Sequence, residues 1–274
     1  MEKIKGKEIW DLWCKIQAKK PLVHCITNIV TVNDCANIVL AAGGSPTMAH
    51  HPLEVAEIAE GCDSLVLNMG AMESYEAMLV AGKAANRTGR PIVLDPVGAS
   101  GAGYRREKTK ELIEALKPAV IRGNFSEIRA LATDSRTQIG VDAALFDTED
   151  ENLKDKRAEL VSDYAKKTNA IVIASGKTDI ISDGEQTDFV TDGSELMSKI
   201  TGSGCMETAL LGAFFGTEAS YFSALCACLV MGLCGELAEE RTKENNGGTM
   251  TFRMHLIDSV STLSEKSVLP FRFL

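Results

Sequence analysis

The sequence has no G-x-x-x-x-G-K-[ST] segment, which excludes a P-loop nucleotide site. None of its eight cysteines, at 14, 25, 35, 62, 205, 226, 228 and 234, forms a C-x-x-C pair, and no histidine lies close to the 226–234 group. Zinc sites use tetrahedral sets at short loop spacings, so these thiols read as free and mostly buried, in a reducing cytoplasm. Basic residues are in deficit: 29 Lys and Arg face 38 Asp and Glu, a net charge of -9 that argues against a nucleic-acid or anionic-membrane surface. A small anionic ligand stays compatible with it, because a helix N-terminus or a metal ion reverses the field locally. Met1 to Lys20 is charged throughout and lacks the apolar run of a signal peptide. The most apolar region, Ala209 to Ala238, is broken by Thr217, Glu218, Ser220 and Tyr221, which suits two buried helices better than one membrane span. There is no internal repeat and no low-complexity linker.

What is present is an alternation of strands and helices. With 274 residues, 45% hydrophobic and 24% charged, the chain can bury a sizeable core without staples. Ser64–Asn68 (SLVLN), Pro91–Asp95 (PIVLD), Ala119–Arg122 (AVIR) and Ala170–Ser175 (AIVIAS) are short apolar runs bounded by turn signals. Helical patterns cover Lys7–Lys19, Asn28–Ala41, Leu53–Glu60, Glu73–Arg87, Glu107–Leu116, Ser126–Ala132 and Asn152–Lys167. Strands apolar on both faces and separated by helices indicate a parallel sheet covered on both sides. Asp179–Ser182 and Thr187–Thr191, joined at Asp183-Gly184, read as an added hairpin. Helices over Gly204–Gly216, Ala219–Arg241 and Phe252–Ser264 complete the chain, and the polar stretch Thr133–Lys156 reads as a variable connection. The expectation is a single three-layer α/β/α domain over residues 1–274, with ligands at the carboxyl ends of its strands.

Residues just after those strands carry the chemistry. Thr201-Gly-Ser-Gly-Cys205 opens an apolar helix, and its small side chains leave backbone N–H groups free to converge on a phosphoryl group. Leu94-Asp95-Pro96-Val97-Gly98 sets a carboxylate at a strand end, and Arg122-Gly-Asn124-Phe-Ser-Glu127 offers a cation, an amide and a carboxylate after the next strand. Glu127 is also spaced to close a capping box on Asn124. Asp95 and Glu127 together suit Mg²⁺, a hard cation that keeps several waters. His50-His51 reads as an exposed loop pair, Cys226, Cys228 and Cys234 as small apolar packing, and Trp10 and Trp13 as core or subunit contacts.

Taken in order, D-P-V-G, N-x-x-E and the late glycine turn resemble the ribokinase-like superfamily. In most of that superfamily an aspartate closes the glycine motif; here it is Cys205. With His24-Cys-Ile-Thr-Asn28 and Gly43-Gly-Ser-Pro-Thr-Met48, the chain is similar to the hydroxyethylthiazole kinase family from about Leu22 to Phe252. The resemblance implies a ribokinase-like fold, transfer of a phosphoryl group from ATP with Mg²⁺ to a thiazole alcohol, and a homotrimer with pockets at subunit boundaries. It implies that Met48 and Asn28 border the thiazole pocket and that Gly202 touches the substrate near its hydroxyl. Arg122, Asn124, Ser175 and Gly204 fall on the ATP side, Asp95 and Glu127 in the magnesium and phosphate network, and Cys205 beside the attacking hydroxyl. One departure is visible: the family's Gly-Pro-Gly-[Ser/Thr]-Phe segment, on the adenine side, is here Gly247-Gly-Thr-Met-Thr-Phe252. Two other functions are weighed against this one, a nucleotide-dependent dehydratase of hydrated NAD(P)H and a silent nucleotide sensor. Cys205 opposes the first, and intact Asp95, Arg122 and Glu127 oppose the second. A kinase for a related alcohol such as hydroxymethylpyrimidine is a further alternative.

Overall fold

Apolar runs that alternate with helices build one eight-stranded sheet in the computed structural model, which describes residues 6–133 and 153–269. The strands are β1 (Leu22–Ile26), β2 (Ser45–Thr47), β3 (Ser64–Asn68), β4 (Ile92–Asp95), β5 (Val120–Asn124), β6 (Ile171–Ser175), β7 (Asp179–Ser182) and β8 (Thr187–Val190). Their order is β2-β1-β3-β4-β5-β6-β7-β8. The first six run parallel, and β7 and β8 are antiparallel. β3 is buried at every position, so its unbroken apolar run has both faces covered.

The helices are α1 (Gly6–Lys19), α2 (Val32–Ala41), α3 (Val55–Gly61), α4 (Tyr75–Arg87), α5 (Gly103–Leu116), α6 (Phe125–Ala132), α7 (Lys154–Thr168), α8 (Ser203–Thr217), α9 (Tyr221–Glu244), α10 (Thr249–Ser261) and α11 (Glu265–Val268). Strand residues alternate between two cores. Val66, Val93 and Val120 pack with α1, α2 and α8 to α10, while Leu65, Leu67, Ile92 and Ile121 pack with α3 to α7. The architecture is therefore a three-layer α/β/α sandwich, as expected from the pattern. α9 is long and apolar enough to cross a membrane, but 78% of its apolar window is buried inside the fold. The polar break at 217–221 is where α8 ends and Ser220 caps α9, its side chain accepting from the Ser223 N–H.

Several boundaries differ from expectation. β1 and β2 were not anticipated; β2 is a three-residue edge strand, Ser-Pro-Thr, with no apolar run to mark it. α2 starts at Val32 rather than Asn28, because Asn28 Oδ1 accepts from the N–H groups of Val30 (3.1 Å) and Thr31 (3.2 Å) and holds a turn there. α10 starts at Thr249, not Phe252, and α5 at Gly103, not Glu107. The connection expected over Thr133–Lys156 lies mostly outside the described residues. What positions the site is the common carboxyl edge of the parallel strands. In register across it, Asn68 pairs with Asp95 and Asn124 with Ser175.

Candidate active site

A cavity of about 830 Å³ opens at that carboxyl edge. Asp95, Arg122, Asn124, Glu127, Ser175 and the whole turn Gly202–Cys205 line it. The turn owes its shape to Gly202, whose φ of 85° lies in the left-handed region that favours glycine. The first helical hydrogen bond of α8 is from Met206 N–H to Gly202 O at 2.8 Å. The N–H groups of Ser203, Gly204 and Cys205 therefore have no partner within the helix, and no side chain of Gly202 can cap them. They form a donor nest at the positive end of a long helix, suited to a phosphoryl group.

Asp95 is buried and accepts two hydrogen bonds at Oδ2, from Asn68 Nδ2 (3.0 Å) and Thr208 Oγ1 (2.9 Å). Burial pushes its carboxyl up to about 7; Arg122 opposes this, and Glu127 adds to it. Glu127 completes the capping box on α6: its backbone N–H donates to Asn124 Oδ1 at 2.9 Å, and its Oε2 accepts from Asn124 N–H at 2.9 Å. Its Oε1 accepts from Gly98 N–H at 2.8 Å, so one carboxylate ties together the turns after β4 and β5. The structural role weighed from sequence is thus present, and it aims a charged group at the cavity as well.

Arg122 is buried, and its Nη2 donates to Glu207 Oε2 at 2.5 Å. Burial alone would lower its pKa, but Glu207 and Asp95 outweigh that and hold it protonated. Ser175 Oγ donates to Gly123 O at 3.3 Å, at the end of β6. Cys205 Sγ accepts from Asn68 Nδ2 at 3.2 Å and Asn28 Nδ2 at 3.5 Å. Burial, then the Asp95 charge, raises its thiol, so at neutral pH the group holds its proton.

Asp95, Glu127, Asp179 and Glu207 all face this cavity with Arg122. Carboxylates outnumber guanidinium, and among the described residues no group hydrogen-bonds the buried Glu207 Oε1. Hard oxygen donors with a surplus of negative charge fit a magnesium ion.

Met48 is part-buried against the core but does not line this cavity, and Asn28 reaches it only through Cys205 and Asn68. Nor does any residue of 247–252 line it, and Phe252 lies in the core. In the segment after β1, Ala42 and Gly44 are buried within the subunit, and Ile29, Val30 and Leu40 are exposed apolar groups. His50 and His51 are exposed, Trp13 is core, and Cys226, Cys228 and Cys234 are buried, as read from the sequence.

Four site residues escaped sequence reasoning. Asn68 closes β3, and the strand-end rule could have found it. Thr208 lies a turn beyond Gly204 on α8, with no motif to mark it. Glu207 is a lone carboxylate in an apolar helix, a signal that was available. Asp179 was read only as a hairpin residue, yet its carboxylate comes within 4.8 Å of ligand atoms of Glu207 and Cys228. Burial, then Glu207, pushes its carboxyl up.

The profile described as the hydroxyethylthiazole kinase family matches residues 14–266. A hydroxyethylthiazole kinase of Clostridium botulinum (strain Eklund 17B) is 44% identical over 257 residues, covering 93% of this chain and 91% of the relative. The solved hydroxyethylthiazole kinase of Pyrococcus horikoshii superposes with a TM-score of 0.83 at 32% identity, covering 97% of this chain and 98% of its own. A ribokinase-like superfamily protein of Enterococcus faecalis superposes at 0.62 with 10% identity, covering 92% and 89%, which shows the shared fold.

Proposed function

The chain belongs to the hydroxyethylthiazole kinase family, and from that membership we infer that it transfers the γ-phosphoryl group of ATP to the hydroxyl of 4-methyl-5-(2-hydroxyethyl)thiazole. The protein is a phosphotransferase with an alcohol acceptor. The observation that carries the chemistry is the set of three free N–H groups at Ser203–Cys205 facing the same cavity as Arg122 and Asp95. In this reading the hydroxyl oxygen forms a bond to the γ-phosphorus, the bond to the β–γ bridging oxygen breaks and ADP leaves, while the hydroxyl proton departs late to an oxygen of the transferred phosphoryl group and then to solvent. Ser203–Cys205 and Arg122 stabilise the equatorial oxygens, where charge spreads in a loose transition state. Asp95 and Glu127 would hold magnesium, which when bound neutralises charge on the ATP phosphates. Asn124, Ser175 and Gly204 form the nucleotide side, and Gly202, Asn28 and Met48 the thiazole side. The product feeds thiamine biosynthesis or salvage, and the free thiols suit a cytoplasmic enzyme. We read residues 1–274 as one domain around the single sheet.

The alternative dehydratase is not favoured, since the family match points to thiazole phosphorylation and Cys205 stands where an aspartate is expected. A coupled ADP-release assay on the thiazole alcohol, a hydroxymethylpyrimidine and a hydrated nicotinamide nucleotide tests this reading. ADP release with the thiazole alcohol is expected; none with it, and activity on either other compound, would overturn it.

A homotrimer accounts for two observations together: Met48 lies outside the cavity of its own chain, and Ile29 (83%), Val30 (66%) and Leu40 (57%) are exposed nearby. A neighbouring copy covering this segment would complete the thiazole pocket. Light scattering should give a trimer, and a monomer fully active at nanomolar concentration would refute the shared pocket.

Burial raises the Cys205 thiol, and its role in this reading is to position the alcohol, which needs little help in losing its proton because bond formation to the hydroxyl lags in a loose transition state. General-base catalysis contributes about 10²–10⁴-fold where it operates, and Cys205→Ser should lose less than that. Cys205→Asp should keep or raise kcat. Collapse of both variants by about 10³-fold or more, with ATP binding intact, would make the thiol essential and end the positioning account.

A further inference from the structure

Glu207 is a buried charged residue of the cavity that the reaction as described does not use. It lies one turn into α8, is 4% exposed, and every other residue from Met206 to Phe215 is uncharged. A carboxylate buried among apolar neighbours and close to a phosphate site is unfavourable unless it is paired. Its partner is Arg122 Nη2, at 2.5 Å from Oε2. The contact is made at one point. Among the described residues neither Glu207 Oε1 nor Arg122 Nε has a hydrogen-bond partner, so the parallel two-bond fork open to such pairs has not formed.

One-point contact leaves the other arm of the guanidinium available, and its location is informative. A Cβ added to Gly204 would stand 2.5 Å from Arg122 Nη1, so that amino group lies directly over the glycine turn. The absence of a side chain at Gly204 is what lets Nη1 approach the start of α8 this closely. Asp95 and Asp179 are competing anions for the same guanidinium. Without Glu207, Arg122 is free to turn towards either of them.

We propose that Glu207 is a positioning residue for phosphoryl transfer: by holding Arg122 Nη2 it keeps Nη1 over the donor nest of Ser203, Gly204 and Cys205. This rests on the reading that the nest receives the transferred phosphoryl group. Glu207 itself touches neither substrate, and it acts through the placement of Arg122. A long arginine side chain would otherwise sample many rotamers, and misplacement by about 1 Å can cost on the order of 10²-fold in rate.

Steady-state kinetics on Glu207→Ala, Glu207→Met, Glu207→Gln, Arg122→Ala and the Glu207→Ala/Arg122→Ala double variant test the proposal, with the thiazole alcohol and ATP varied separately. Glu207→Ala and Glu207→Met should lower kcat by about 10- to 100-fold with the thiazole KM within about twofold of wild type. Glu207→Gln keeps an acceptor oxygen and should recover most of the loss. The double variant should be no slower than Arg122→Ala, because both changes remove one unit. Wild-type kcat in Glu207→Met, Glu207→Gln as slow as Glu207→Met, or losses that multiply in the double variant would each overturn the proposal. Glu207→Met preserves side-chain length and carries the test by itself should the alanine variant not fold. A wild-type chain that releases no ADP with the thiazole alcohol fails the functional reading and this inference together; an active wild type with unaffected variants fails this inference alone.

Discussion

Removing an ion from water into a protein interior costs roughly several kcal/mol, even after the surroundings relax, and the carboxylate of Asp95 is buried at the end of a central strand. The groups that compensate it determine where the neighbouring elements sit. Thr208 donates to it from α8, Asn68 from β3, and Arg122 supplies positive charge from β5. Arg122 is in turn held by Glu207, again on α8. Two polar ties therefore fix the start of α8 against the ends of β4 and β5. The donor nest at Ser203–Cys205 faces the cavity because those ties hold it there.

Compensation stays incomplete in the protein alone. Asp95 is pushed up to about 7, chiefly by burial, and Asp179 moves in the same direction. For a carboxylate, a raised folded-state value means stability that is full below the unfolded value near 4 and is lost as pH rises through about 7. The site thus forgoes stability at neutral pH to keep carboxylates where a cation and phosphates are to bind. That pattern belongs to a functional site more than to a structural ion pair.

Much of this was legible in the sequence. β3 falls at the anticipated residues because a fully buried strand reads as an unbroken apolar run, and β7 because the Asp183-Gly184 turn bounds it. Asp95, Arg122, Asn124 and Glu127 were found by their place after strands and Ser175 through the family resemblance, and the cavity brings them together. β2 was missed because three residues with a proline carry no period. Asn28 was placed inside a helix because periodicity does not register a side chain that captures its own backbone. Glu207 stood out locally as a lone carboxylate in an apolar helix, but its partner Arg122 lies 85 positions away, and neither that contact nor the one from Thr208 to Asp95 is revealed by local pattern. Met48 shows the same limit at a larger scale, since its partners in a pocket are not all on its own chain if copies share the site.

The central claim is that the start of α8 and the ends of β4 and β5 form one phosphoryl-transfer site. A crystal structure with a non-hydrolysable ATP analogue and magnesium tests it most directly. The account predicts the γ-phosphoryl group on the N–H groups of Ser203–Cys205 with Arg122 Nη1 beside it, and the metal on the Asp95 side. Phosphates lodged elsewhere, with the nest and Arg122 unengaged, would contradict it.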